Sequence, residues 1–263
     1  KRRGLGLKYP WGAPRMILCV DSGNSRIKWG LHDGAAWRET AAVDHAESAK
    51  MAELPQRLPM PSSVMMSNVA GEAARLAIRQ ALVPWLAVLH EIESTASAGG
   101  VTNLYENPVR LGVDRWCALI GARAITTAPC VVVMAGTATT VDTLDGDGRF
   151  LGGLILPGLE LMRRSLARDT AALPLAAGKY SVYPRCTDDA ITSGCIEAQA
   201  GAIKRACGRL GADARCLLSG GAAGVIGEHL GVPHLLVANL VLEGLLRLAG
   251  ESPAAHAAGK ISG

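Results

Sequence analysis

The chain has 263 residues, 49% hydrophobic and 19% charged, which leaves room for one large domain or two of about 100–150 residues. No stretch approaches the roughly 18–20 uninterrupted apolar residues of a membrane span, and one Phe, four Tyr and five Trp are too few for a base-stacking platform. The net charge of +4 is local: five of the 27 Lys and Arg fall in residues 1–15 with no acid among them, and the remainder sets 22 against 23 Asp and Glu. Residues 1–15 are therefore read as a basic N-terminal tail on a near-neutral body, and no nucleic-acid or membrane partner is expected. The seven cysteines form no C-x-x-C pair and no zinc spacing. Their odd count argues against a disulfide framework and for a reducing cytoplasm.

In chain order, Met16–Asp21 and Arg26–Leu31 read as two strands of a hairpin, and Ser62–Ser67 as a third strand. Apolar spacing predicts a helix over Gly71–Ala87, stopped or bent near Pro84, and a strand over Val88–Ile92. Ser97–Pro108 is predicted as a loop leading into a helix over Val113–Ile125. A second hairpin is expected from Val131–Ala135 and Val141–Leu144, a turn at Asp145–Gly148 and a strand over Phe150–Leu156. Helices are then predicted at Leu159–Leu166, Thr187–Cys207 and Leu235–Leu248, the last two separated by a Gly-rich stretch, Leu217–Gly224. Strands alternating with helices in both halves point to an α/β sandwich.

The two hairpins share one design, an apolar strand running into a Gly-centred turn and then a second strand. Asp21-Ser22-Gly23-Asn24-Ser25 is the first turn and Gly136-Thr137-Ala138-Thr139-Thr140 the second. Glycine permits a sharp turn and close approach to a ligand, while backbone N–H groups and hydroxyls suit phosphate oxygens. Asp, Asn and Gly are equally at home in a plain hairpin turn. The carboxylate of Asp21 adds a group able to hold Mg²⁺ or its waters, and three hydroxyls around Gly136 suit a ring of phosphate donors. Gly220-Gly221-Ala222-Ala223-Gly224, after an apolar strand, would let backbone lie against a flat ligand. Tyr105-Glu106-Asn107-Pro108 with Leu111-Gly112-Val113-Asp114-Arg115-Trp116 sets a carboxylate beside a guanidinium at a helix start. Taken alone, Asp114 is a helix-start acid favoured by the dipole and Arg115 a solvated surface charge.

Together, Asp21-x-Gly-Asn-Ser-x-x-Lys28, Tyr105-x-Asn-Pro-x-x-Leu-Gly-x-Asp-Arg115, Gly136-Thr-Ala-Thr-Thr140, Gly152-Gly-x-Ile-x-Pro-Gly158 and Thr187-x-x-Ala-Ile-x-Ser-Gly194 resemble, in this order, the type III pantothenate kinases, a family that includes the Bvg accessory factor proteins. The resemblance runs from Met16 to about Ala249. It implies an α/β fold of two ribonuclease-H-like lobes, the acetate and sugar kinase/Hsp70/actin fold, with lobes expected at 16–127 and 128–250 and a C-terminal tail at 251–263. It further implies ATP-dependent phosphorylation of pantothenate, with Mg²⁺, by a homodimer whose substrate pocket lies near the subunit interface. By the same resemblance, Asp21, Ser22, Gly23, Asn24, Ser25, Arg26, Ile27, Lys28 and Thr137 bind ATP and its phosphates, with Asp21 at the Mg²⁺. Tyr105, Gly112, Val113, Asp114, Arg115 and Thr187 bind pantothenate, and Asp114 is the general base. A regulatory accessory protein retaining the nucleotide fold, or a kinase for another small alcohol, are the alternatives. One departure stands out. Aligning Gly23 with Gly136 sets Asp21 against Met134, where many members of the family carry an Asp on a monovalent cation, so no K⁺ or NH₄⁺ ligand is expected at Met134.

Overall fold

The computed structural model describes residues 15–175, 177–211 and 213–251. All of the basic tail except Arg15, and all of the C-terminal tail except Glu251, lie outside the described residues. The elements run β1 (Ile17–Ser22), β2 (Arg26–His32), β3 (Trp37–Asp44), α1 (Leu54–Arg57), β4 (Ser63–Asn68), α2 (Glu72–Ala81), β5 (Leu89–Glu91), β6 (Ser97–Ala98), β7 (Val101–Asn103) and α3 (Val113–Ile125). There follow β8 (Cys130–Ala135), β9 (Ala138–Leu144), β10 (Arg149–Pro157), α4 (Leu159–Asp169), α5 (Thr187–Leu210), β11 (Arg215–Ser219), α6 (Ala223–His229), β12 (Leu235–Leu236) and α7 (Leu240–Leu248). Two compact units result, one from the chain up to Ile125 together with the segment from Leu240 on, the other Thr126–Asn239. The boundary expected near residue 127 falls at 125, and α7, expected with the second lobe, packs in the first unit.

In the first unit the strand order is β3-β2-β1-β4-β5. β1–β2 and β2–β3 are antiparallel, β1–β4 and β4–β5 parallel. Strand alternation divides the side chains of β1 between two faces. Leu18 and Val20 join Ile27, Val64, Met66, Ile78 and Trp85 in one core. Cys19 and Asp21 take the opposite face. There α3 and α7 cross so closely that a Cβ on Gly121 would overlap the Leu240 carbonyl and one on Gly244 the Cys117 carbonyl. α2 ends at Ala81, three residues before Pro84, with Leu82 leaving the helical region as its C-cap. A 3-10 segment, Val83–Val88, takes up the rest of the expected helix.

In the second unit the strand order is β10-β9-β8-β11-β12. β8–β9 and β9–β10 are antiparallel, β8–β11 and β11–β12 parallel. This is the order and sense of the first unit repeated, so the repeat seen in two hairpins extends to five strands. Val131, Val133, Leu218 and Cys216 pack against Ala200 and Ile203 of α5 and Ile226 of α6.

Several expectations need correction. The helix expected from Leu235 begins at Leu240, after the short strand β12. The loop Ser97–Pro108 contains the β6–β7 pair. The Gly-rich stretch ends in helix α6, and the chain between the first hairpin and Ser62 holds the third strand, β3, which is largely exposed.

Candidate active site

Because β1 and β4 are parallel, their C-terminal ends lie side by side, and Asp21 and Ser67 are register partners. Both are buried. Ser67 Oγ donates to Asp21 Oδ1 at 2.8 Å, and Lys28 lies opposite Asp21 on β2. Burial pushes the Asp21 carboxyl up to about 6, with the charge of Asp114 adding to it; the Ser67 hydrogen bond and Lys28 oppose the rise. In the turn that follows, Gly23 N–H donates to the Arg26 carbonyl, Gly23 O faces His45 Nε2 at 2.6 Å, and Asn24 and Ser25 are exposed. Ile27 points into the core, so only its backbone is available to a ligand. The Arg26 guanidinium is bound to Asp44 at 2.8 Å.

The segment before α3 is held by a chain of polar contacts. Asn103 Nδ2 donates to the carbonyls of Thr95 and Pro108, and its Oδ1 accepts the Tyr105 N–H at 3.1 Å. Ser94 Oγ holds the Leu111 carbonyl at 2.8 Å. The helix opens when Trp116 N–H donates to Gly112 O at 2.9 Å. Asp114 Oδ1 accepts the Arg115 N–H at 2.8 Å and lies where a Cβ on Gly112 would come within 2.7 Å, so a side chain at position 112 would displace the Asp114 carboxylate. Arg115 is not the surface charge that its helix-start position suggests. Only 5% exposed, it lies over the Tyr105 ring, centroid distance 5.7 Å, and its Nη1 donates to Tyr105 Oη at 2.9 Å. Burial raises the Asp114 carboxyl, against the opposing Arg115 N–H and charge. Burial pushes the thiol of Cys117, one helical turn on from Asp114, well up, and the charges of Asp21 and Asp114 add to the rise, so both carboxylates lie in its neighbourhood.

The second unit holds the remaining expected residues. Thr137 is exposed in the β8–β9 turn, and its carbonyl accepts the Gly158 N–H at 2.9 Å. Thr139 and Thr140 are buried strand residues whose hydroxyls find no partner among the described residues, and Thr137 alone of the three is exposed. Gly220, at φ +104°, lets the chain pass against the Ala135 backbone; close chain packing, rather than a flat ligand, accounts for that glycine. Thr187 is exposed at the first position of α5, on the wall of a cavity of about 590 Å³ with Met162, Leu166, Ile191 and Cys195. Met134 faces Thr140 on β9 and Ser219 on β11 in register.

The sequence profile of the type III pantothenate kinases matches residues 17–209. The chain belongs to this family. Type III pantothenate kinases of Dechloromonas aromatica and Aromatoleum aromaticum are 58% and 51% identical to the kinase, over 90% and 91% of its length and 100% of theirs. Among solved structures, a Baf family protein from Campylobacter jejuni superposes with a TM-score of 0.63 at 19% identity, covering 90% of the kinase and 99% of that chain. The ethanolamine utilization protein EutJ from Carboxydothermus hydrogenoformans gives 0.52 at 15%, covering 92% and 91%. These structures bear on the fold alone, which is the acetate and sugar kinase/Hsp70/actin fold.

Ser67 is a residue of the kinase that motif reading passed over as the end of a strand. The signal was in the pattern: a strand parallel to a phosphate-turn strand brings its last residue beside the turn's acid. Asp21 Oδ1 is occupied by Ser67, and its second oxygen accepts no hydrogen bond among the described residues. A single carboxylate with one oxygen to spare suits Mg²⁺, which keeps most of its waters. Around Met134 the pattern differs. A thioether between two neutral hydroxyl residues does not suit a hard monovalent cation.

Proposed function

We propose that the kinase transfers the γ-phosphoryl group of ATP to the primary hydroxyl of pantothenate, giving 4′-phosphopantothenate and ADP, the first step of coenzyme A biosynthesis. The observation that carries the assignment of roles is the pair of neighbouring carboxylates, Asp21 and Asp114, one opening a phosphate turn and the other beside a buried, Tyr105-held guanidinium. Asp114 accepts the hydroxyl proton as the alcohol oxygen attacks phosphorus and the bond to ADP breaks. Its raised proton affinity fits a base, and the alcohol loses its proton late in a loose transition state. Arg115, fixed by Tyr105, supplies positive charge without a reorganisation cost. In the first unit the Gly23–Ser25 backbone and Lys28 hold nucleotide phosphates and Gly112, Val113 and Tyr105 hold pantothenate; the second unit's own candidates are Thr137 for phosphate and Thr187 for pantothenate. Asp21 would hold Mg²⁺ through its second carboxylate oxygen, where the ion would neutralise phosphate charge.

A coupled assay of ADP release with pantothenate and a panel of sugars tests the assignment. Release with pantothenate alone is expected; equal release with sugars, or none with any acceptor, overturns it.

A further inference from the structure

The proposed mechanism places Asp21 at the nucleotide but leaves unexplained what fixes its side chain, since β1 alone allows the carboxylate several rotamers. The Ser67 hydroxyl supplies the restraint. It is fully buried, one strand away in exact register, and donates to one Asp21 oxygen at 2.8 Å. The internal repeat provides a control within the molecule. In the second unit the strand pair β8–β11 matches β1–β4, and Ser219 stands opposite Met134 as Ser67 stands opposite Asp21. There the serine hydroxyl reaches the Ala238 carbonyl instead, at 3.5 Å. A serine thus occupies the same place in both units, and in the first unit it donates to the carboxylate opposite it.

We propose that Ser67 is a positioning residue for phosphoryl transfer: by occupying one oxygen of Asp21 it turns the other toward the Mg²⁺–nucleotide. The inference rests on the kinase reading above. Hydrogen bonds to charged groups are among the stronger ones, and a carboxylate free to rotate loses the pre-organisation that makes one ligand sufficient for a hydrated cation.

The test is Ser67→Ala, with Ser67→Thr, which keeps the hydroxyl, and Ser67→Cys, which keeps the volume with a weaker donor. Mn²⁺ binding in the presence of a non-hydrolysable ATP analogue is read by electron paramagnetic resonance, beside KM for Mg²⁺ and for pantothenate. Ser67→Ala is expected to weaken Mn²⁺ binding and raise the Mg²⁺ KM about tenfold. The pantothenate KM should stay unchanged, Ser67→Thr should restore metal affinity, and Ser67→Cys should fall between. A merely structural serine would lower the melting temperature of Ser67→Ala and leave metal affinity at the wild-type value, which overturns the proposal. If Ser67→Ala does not fold, Ser67→Cys with wild-type metal affinity overturns it as well. Wild-type protein that neither binds Mn²⁺ with the analogue nor phosphorylates pantothenate would count against the kinase reading itself.

Discussion

Asp21 lies between opposed influences: burial and Asp114 favour its proton, Ser67 and Lys28 its charge, and the balance leaves the carboxyl at about 6. Above that pH it is an anion. Below it the proton goes on, and with Asp21 in its proposed role at the Mg²⁺–nucleotide, kcat/KM for ATP should fall as the pH drops through about 6. A pH–rate profile flat from about pH 7 to 5 would contradict this. At Met134, the position that answers Asp21 in the second hairpin, a monovalent cation would meet a thioether and neutral partners, and its desolvation would be poorly compensated. The kinase is expected to need Mg²⁺ but to gain little from K⁺ or NH₄⁺. Assays in tetramethylammonium buffer with and without K⁺ decide it, and a several-fold stimulation by K⁺ counts against it. Residue types and spacing made Asp21, Asp114 and Arg115 legible in the sequence. The burial of Arg115 was not, because its partner Tyr105 lies ten residues away and the contact depends on the Asn103 turn that sets the Tyr105 backbone.

Helix α3 carries Asp114 at its start and is held against α7 by glycines. On intrinsic propensity alone, Gly244→Ala would stabilise a helix by up to about 1 kcal/mol. Against that, the new methyl would overlap the Cys117 carbonyl, a backbone group unable to rotate aside. Overpacking of about 1–3 kcal/mol should win. The variant is expected to melt several degrees lower with the kcat of the remaining folded enzyme reduced, since α3 must shift; a melting temperature at or above wild type would contradict the packing account. Elements with strong periodicity or flanking turns were legible. α3 was expected over the residues it occupies, and the two hairpins within a few. Those missed had no local signature: β3 is a largely exposed edge strand, and the two-residue β12 is fixed only by pairing with β11. The Leu235–Leu236 run reads as helix until that pairing is known.

At the scale of the whole molecule, duplication is the organising fact, with five strands in the same order and sense in each unit. The sequence revealed it only at the hairpins, where glycine and hydroxyl residues mark the turns; the remaining strands share topology and, at Ser67 and Ser219, a single serine place. For assembly we propose a homodimer through α5. Ile191, Ala200 and Ile203 are used within the unit, so a partner would meet the exposed face bearing Ala190, Gly194, Ala198 and Gly201, small residues that permit close approach. Light scattering at micromolar concentration should give twice the 27.3 kDa chain mass; a monomer would contradict it. In the proposed function Asp114 takes the pantothenate hydroxyl proton while Asp21 serves the nucleotide side. The most direct test follows 4′-phosphopantothenate formation from ATP and pantothenate by wild type and Asp114→Asn side by side, with ATP binding measured on both. Wild type should form the product, and the variant, binding ATP normally, should form it about 10²–10⁴ times more slowly; equal rates would contradict the account.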